Sequence, residues 1–300
     1  MISVIMTWYN TAYHLLKRAI MSVLNQTYQD FEFILINDGS DNYHPLTGKM
    51  IIDFQEEFQG RMRVVDNLIN IGQGESRNRG IQLAQGDYIF FIDSDDYIYD
   101  DALETLYNNL ISESADISIG NFTRKKYREM SGIRTYTREQ ALAVLCNYPD
   151  NEFLGRMIPQ VAFNTLWNKV YKREVFEGVK FVSGHPHDDT LVSHQILWNV
   201  DKVVFTNKLT YLYRPGGNFA GEHLYENKEL IFAHDNRLQF LRDVIGKREY
   251  IEDEKAWYLR TLYLTHQKTH DDTLLDKVDD FIVANPGVYE RIKRNDIILR

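Results

Sequence analysis

The chain has 300 residues, 44% of them hydrophobic and 26% charged, with a formal net charge of -9 and a pI near 5.5. That length suggests roughly two domain-sized units, and the balance is that of a globular protein with ample core material. An acidic chain without a strong basic tract is excluded as a non-specific binder of nucleic acid polymers.

The single cysteine, Cys146, allows no intrachain disulfide and fits a reducing compartment. The opening stretch Met1-Ile2-Ser3-Val4-Ile5-Met6 carries no basic region and turns polar at Thr7, too soon for a signal peptide. No apolar run approaches the ~20 residues of a membrane-spanning helix. The expected location is cytoplasmic, with any membrane contact peripheral at the inner face.

In chain order, Ile2 to Met6 predicts a short buried strand. Leu15, Leu16, Ala19, Ile20, Val23 and Leu24 then recur at helical spacing. Phe31 to Ile36 is a second strand, ending in Asn37-Asp38-Gly39-Ser40. Residues 47–59 read as helix and Arg63-Val64-Val65 as a third strand. Gln73 to Ala84 is a helix whose end Gly86 marks. Tyr88 to Ile92 is the fourth strand, Ala102 to Ile111 a helix, and Asp116 to Ile119 a further strand. This βαβαβα order predicts a mostly parallel sheet with helices on both faces. Ligands of such sheets bind beyond the carboxyl ends of the strands, where the polar clusters at 7–10, 37–41 and 93–96 converge.

Residues 123–215 are mixed in pattern. The break Pro215-Gly216-Gly217-Asn218 predicts a boundary, so residues 1–215 form one domain with halves at about 1–122 and 123–215. Residues 216–300 form a helical region. Leu230, Ile231, Leu238, Leu241 and Ile245 stand at near-heptad spacing, followed less regularly by Trp257, Leu259, Leu262 and Tyr263. This tail reads first as an appendage on the main domain and second as a homodimer interface.

The fourth strand runs straight into "FFIDSDDY" (90–97), where three carboxylates crowd four residues. Like charges this close repel, and burial raises their pKa values. Residues i and i+2 of a strand face one way, about 6.6 Å apart. Asp93 and Asp95, flanking Ser94, would thus offer oxygens to a hard divalent cation, Mg²⁺ or Mn²⁺. The blander reading makes Asp95 or Asp96 a cap of the next helix. A calcium loop is excluded, because Tyr97 and Ile98 occupy the positions of an oxygen ligand and a glycine.

Five stretches occur in order: "MTWYN" (6–10), "NDGSD" (37–41), "NIGQGESRNRG" (70–80), "GDYIFFIDSDD" (86–96) and "TLWNKVYKREVF" (165–176). As a set they resemble the family 2 glycosyltransferases of the GT-A fold, bacterial enzymes that build capsules, wall polymers and exopolysaccharides. The resemblance covers about the first two-thirds of the chain. It implies a nucleotide-sugar donor, commonly a UDP-sugar, bound at the strand rim. Tyr9 matches the aromatic that lies against the base, although it could simply pack over the first helix. Thr7 stands where the family usually has proline. Asp38 matches the acid that accepts from the base, and Gly39 lets the backbone pass close by, though Asn37 to Ser40 also suits an ordinary turn. Arg77 matches the arginine of an "ARN" element and could pair with Asp38 or a phosphate through its fork. Asn70 and Gly72 resemble the loop shaping that side of the pocket. Asp93 matches the first acid of DxD, directed at ribose or metal, and Asp95 the metal ligand.

The resemblance also implies a carboxylate base in a Glu-Asp pair downstream. "HPHDDTLVSHQIL" (185–197) stands there. Asp189 matches the aspartate and is assigned the role, with Asp188, in place of the glutamate, as the alternative. Asp189 could instead be only an N-cap. His185 and His187 flank the pair and read as polar contacts rather than metal ligands. Trp167, Asn168 and Lys169 match a WNK element on the acceptor side, although a buried Trp167 holding the loop explains that residue equally well. Tyr213-Arg214 resembles a later Tyr-Arg element. The implied activity is inverting, metal-dependent transfer of a hexosyl or N-acetylhexosaminyl group to a hydroxyl of a glycan or lipid-linked acceptor.

Two rivals remain at this level. A sugar-phosphate nucleotidyltransferase needs a glycine-rich basic loop after the first strand, and residues 7–14 contain no glycine, lysine or arginine. A non-catalytic sugar-nucleotide or polysaccharide-binding subunit would not need the acids at 93, 95 and 189.

Overall fold

The computed structural model describes residues 1–123, 132–146, 160–185, 187–214 and 228–295. The proposed boundary at 215–218 lies outside the described residues, as does Pro186.

The first half follows the predicted alternation: β1 (Ile2–Trp8), α1 (Tyr13–Leu24), β2 (Phe31–Asn37), α2 (Thr47–Glu57), β3 (Met62–Asp66), α3 (Gln73–Leu83), β4 (Tyr88–Asp93), β5 (Tyr97–Ile98), α4 (Ala102–Ser112) and β6 (Ile117–Thr123). Beyond it come β7 (Ile133–Thr137), a helix at Arg138–Cys146, a short helix at Gln160–Asn164, β8 (Lys169–Lys172), a helix at Asp188–Trp198 and β9 (Lys202–Leu212). Four helices close the described chain: Glu229–Phe240, Arg248–Thr269, Thr273–Ala284 and Pro286–Asn295.

The strands form one sheet in the order β3-β2-β1-β4-β8-β6-β9-β5, with β7 also on β9. β1, β2, β3 and β4 are mutually parallel, whereas β8 runs antiparallel between β4 and β6. The chain reverses its direction of travel across the sheet at β1, which has β2 on one side and β4 on the other. Crevices form outside the carboxyl ends at such a switch point. Register fixes what meets there, because Thr7 pairs with Asp93 across to β4 and Trp8 pairs with Asn37 across to β2.

Strand alternation divides the core. Val4, Met6, Phe33, Leu35, Phe90 and Ile92 pack on one face against Leu16, Ile20, Met50, Phe54, Leu103 and Leu106 of α1, α2 and α4. Ile5, Ile34, Ile36, Ile89 and Phe91 pack on the other, with Leu191, Ile196 and the C-terminal residues Ala233, Leu241 and Tyr250. Each such side chain contributes roughly 1.5–3 kcal/mol on burial, so the strand tips stand on a rigid base. The C-terminal helices keep a smaller core of their own around Leu259, Leu262, Leu274 and Ile292. Tyr250 donates to the Glu139 carbonyl at 2.8 Å, tying that region to the main body.

Gly86 does not cap α3 through a left-handed turn. That helix ends at Ala84 in extended backbone, and Gly86 is small because a Cβ there would lie 2.6 Å from the Met1 carbonyl oxygen.

Candidate active site

A cleft of about 610 Å³ opens over the tips of β1, β2 and β4. Thr7, Tyr9, Asp38, Asn70, Gly72, Asp93, Ser94 and Asp95 line it, together with Gly184, His185, Tyr213 and Arg214 from the second half.

At one end the backbone sets the geometry. The Asp38 amide donates to the Trp8 carbonyl at 2.8 Å, extending the β1–β2 pairing by one residue. Gly39 adopts φ +68°, and a Cβ there would lie 2.2 Å from the Ile69 carbonyl carbon, so only glycine lets the 69–70 backbone cross this closely. Asp38, 3% exposed, accepts through Oδ1 from Asn67 Nδ2 at 2.9 Å and the Ile71 amide at 3.0 Å. Asn10 accepts through Oδ1 from the Asp41 and Asn42 amides and so binds the two rim loops together. Tyr9 is 47% exposed and lines the cleft.

At the other end side chains set it. Arg77 is buried, and its fork spans two acids: Nη2 reaches Asp93 Oδ1 at 2.9 Å and Nη1 reaches Asp188 Oδ2 at 2.5 Å. Of the two expected partners, Asp38 or a phosphate, Asp38 is not paired with Arg77, whose fork holds Asp93 and Asp188 instead. Burial opposes the Arg77 charge, yet Asp188 and Asp93 hold its pKa above the ordinary arginine value. Burial pushes the Asp93 carboxyl up to about 6 against the pull of Arg77, and Asp95, Asp188 and Asp189 push the same way as burial. Gln73 Nε2 also donates to Asp93 at 3.2 Å.

Asp95 does not continue the strand beside Asp93. β4 stops at Asp93, and the Asp96 amide turns back to the Asp93 carbonyl at 3.2 Å. Asp95, with its side chain 32% exposed, accepts through Oδ2 from Arg214 Nη2 at 2.8 Å. Ser94 shares a hydrogen bond with Thr11 at 2.7 Å. Neither Asp95 nor Asp96 caps the next helix, whose N-cap is Asp101. Asp96 is buried and accepts from the Tyr211 hydroxyl and the Arg214 amide, each at 2.8 Å. Burial and the nearby Asp93 raise its pKa to about 8.

The downstream pair sits in the first turn of the Asp188–Trp198 helix, whose N-cap is His187, so Asp189 is not the cap. α3 braces this segment: Asn78 and the Phe181 backbone exchange hydrogen bonds at 2.9 and 3.0 Å. Gly74 leaves no room for a Cβ, which would lie 2.9 Å from the Val182 carbonyl oxygen. Asp188 is buried against Arg77, while Asp189 is half-buried. Burial and Asp188 raise the Asp189 pKa above the usual carboxylate range. Neither acid lines the cleft itself, which ends at His185. His185 bonds Glu229 at 2.5 Å and stacks on Phe232 at 4.5 Å, bringing the C-terminal helices to the rim.

Trp167, Asn168 and Lys169 lie behind the cleft wall. Trp167, 5% exposed, is stacked between Tyr211 at 4.6 Å and Tyr213 at 5.4 Å. Asn168, at φ +67°, donates to the Gly120 carbonyl at 2.5 Å. Lys169 is buried with its ammonium on the Thr165 carbonyl, and burial lowers its pKa to about 7. Trp167 holds its loop as a buried indole does, and Tyr213 is the member of that stack that meets the cleft.

Sequence reasoning assigned no role to Asn67, Gln73 and Tyr211, which hold Asp38, Asp93 and Asp96, or to Asn78, which braces the Phe181 backbone. Arg214 was noted only through its resemblance, and nothing local pointed to its grip on Asp95.

Residues 3–180 match the family model for glycosyl transferase family 2, a match that stops short of the acid pair at 188–189. The chain is 34% identical over 221 residues to glycosyltransferase GlyG of Streptococcus pneumoniae serotype 4, covering 71% of this chain and 70% of GlyG. Further curated glycosyltransferases are matched over smaller shares of their length, 30% in one case and 64% in another. Among solved structures, S. aureus TarS 1–349 in complex with UDP-GlcNAc aligns with TM-score 0.60 at 16% identity, covering 98% of this chain and 91% of TarS. The mannosyltransferase PcManGT from Pyrobaculum calidifontis, in complex with GDP-Man and Mn²⁺, aligns with TM-score 0.61 at 14% identity, covering 100% of this chain and 80% of its own. These two likenesses establish the GT-A fold. With the family model and GlyG matched to this extent, the chain belongs to glycosyl transferase family 2.

Proposed function

We propose that the protein transfers a sugar, with inversion, from a UDP-sugar to a hydroxyl of a glycan or lipid-linked acceptor in bacterial surface polysaccharide synthesis. The observation that carries this reading is one cleft lined by an exposed aromatic, Tyr9, the held carboxylate of Asp38, and Asp93 with Asp95. Tyr9 offers a face for the uracil ring and Asp38 an acceptor for its N–H. The nucleotide-sugars in the TarS and PcManGT complexes support a donor of this class.

The site also suits Mn²⁺ or Mg²⁺. Asp93, Asp95 and Asp188 are ion-paired with Arg77 and Arg214, and Asp96 and Asp189 stand close enough to shift in pKa with them. The donor set is all oxygen, which favours hard cations. Among the described residues no three metal-binding side chains gather at one point, so diphosphate oxygens would complete the coordination of an ion at Asp95 and Asp93. Such an ion would neutralise charge on the departing diphosphate.

The chain's own groups perform the rest. Asp189, the half-buried member of its pair with a raised pKa, takes the proton of the acceptor hydroxyl as that oxygen bonds the anomeric carbon. The bond from that carbon to the β-phosphate oxygen breaks in the same displacement. Asp188 stays on Arg77 and fixes the helix turn carrying the base.

A screen of UDP-sugars tests this reading. One of them should raise the melting temperature only with Mn²⁺ and should be slowly hydrolysed without acceptor. Binding without any hydrolysis would instead favour a non-catalytic carbohydrate-binding subunit.

A further inference from the structure

Arg237 is 1% exposed, lies on the Glu229–Phe240 helix, and has no part in the chemistry above. Its Nη2 donates to Asn164 Oδ1 at 2.6 Å, to the Thr190 carbonyl at 2.9 Å and to Ser193 Oγ at 3.1 Å. Glu254, fully buried on the next helix, supplies its counter-charge at 3.7 Å and holds His234 at 2.6 Å. A buried ion pair is costly to assemble, and replacing one with apolar residues is often neutral or stabilising. Its presence here therefore invites a role beyond stability.

The bonds run in one direction. A guanidinium has donors only, so Asn164 must turn its carbonyl oxygen toward Arg237. That leaves Asn164 Nδ2 to donate to Thr190 Oγ1 at 2.9 Å. Thr190 Oγ1 in turn donates to Asp189 Oδ1 at 3.3 Å, and the Thr190 amide reaches the same oxygen at 2.7 Å. Every link donates toward Asp189, so the buried charge polarises the chain toward that carboxylate. Both bonds fall on Oδ1, whereas Oδ2 makes none among the described residues.

Resting on the reading of Asp189 as the base, we propose that Arg237, Asn164 and Thr190 form a positioning relay. The relay anchors Asp189 Oδ1 and presents Oδ2 as the atom that takes the acceptor proton. The C-terminal helices thereby belong to the catalytic apparatus, acting through Asp189. Arg237 and Thr190 are positioning residues and Asp189 alone is catalytic.

Thr190→Val removes the hydroxyl while keeping the branched shape, and Thr190→Ser restores the hydroxyl. The probe is the UDP-sugar that the wild-type protein consumes fastest in a panel, with UDP and Mn²⁺ for calorimetry. Thr190→Val is expected to lower turnover about tenfold with UDP affinity and melting temperature held, Thr190→Ser to recover most of it, and Arg237→Met to lose at least as much turnover as Thr190→Val. Wild-type turnover in Thr190→Val, alongside a crippled Asp189→Asn, overturns the relay and leaves the base in place. Parallel loss of turnover, affinity and melting temperature without recovery in Thr190→Ser assigns Thr190 to packing and also overturns it. Near-normal turnover in Asp189→Asn removes the base reading on which the relay rests.

Discussion

The two ends of the cleft are built by different means. At the Tyr9 and Asp38 end, strand register, one extra backbone bond and a glycine crossing fix the geometry, and the single acid there is held by neutral donors. At the Asp93 and Asp188 end, three acids are gripped by two arginines drawn from α3 and from the end of β9. Backbone geometry survives the loss of one side chain. A buried charge network does not, because each deletion strands an uncompensated ion. On the proposed reading, the contrast teaches that a nearly passive rim suffices to read the donor base, whereas the end where charge would develop needs an arrangement tuned by mutual compensation.

The sharpest way to break the contrast is Arg77→Met, which abandons Asp93 and Asp188 together. It should cost roughly 3–5 kcal/mol, read as a large fall in melting temperature, while Arg77→Lys should cost less. A small loss would mean that the acids find other partners. Next, Asp189→Asn should reduce turnover roughly 10²–10⁴-fold with UDP affinity retained, measured by kinetics beside calorimetry. Near-normal turnover would move the role to Asp188 or elsewhere.

pH separates the two ends further. Asp93 and Asp96 have folded pKa values of about 6 and about 8, above the ordinary value of 3.8. The folded chain therefore holds more protons than the unfolded one across that window. Stability present under acid conditions is lost as pH rises through 6 and then 8. Melting temperature should fall over this range, and Asp96→Asn should flatten the upper part. A profile level from pH 5 to 9 would contradict the burial of these acids. The smallest effect belongs to the passive end: Tyr9→Ala should weaken UDP binding about tenfold without altering stability, and Tyr9→Phe should leave it unchanged.

This contrast also explains what could be read in advance. Hydrophobic periodicity and turn residues define β1 to β4, and parallel strands deliver their polar tips to one edge whatever the distant chain does. Asp38, Gly39 and Asp93 were thus visible as local patterns, whereas the acid pair, on a helix, was marked only by the family resemblance. The partner of Arg77 was not, because Asp188 lies 111 residues away and only folding brings it to α3. The same holds for Arg214 on Asp95, and for Arg237, whose helix looks in sequence like ordinary apolar spacing. The i and i+2 argument for Asp93 and Asp95 failed for a local reason: the strand ends at Asp93, so its alternation no longer governs Asp95. Trp167 shows the converse, a motif residue whose position is set by packing between two tyrosines.

The central claim is that Asp95 presents a divalent ion to the nucleotide's diphosphate in this cleft. Titrating UDP into the wild-type protein and Asp95→Ala, each with Mn²⁺ and with a chelator, addresses it directly. Tight binding that requires both Mn²⁺ and Asp95 is the predicted result. Equal affinity in all four titrations would contradict it.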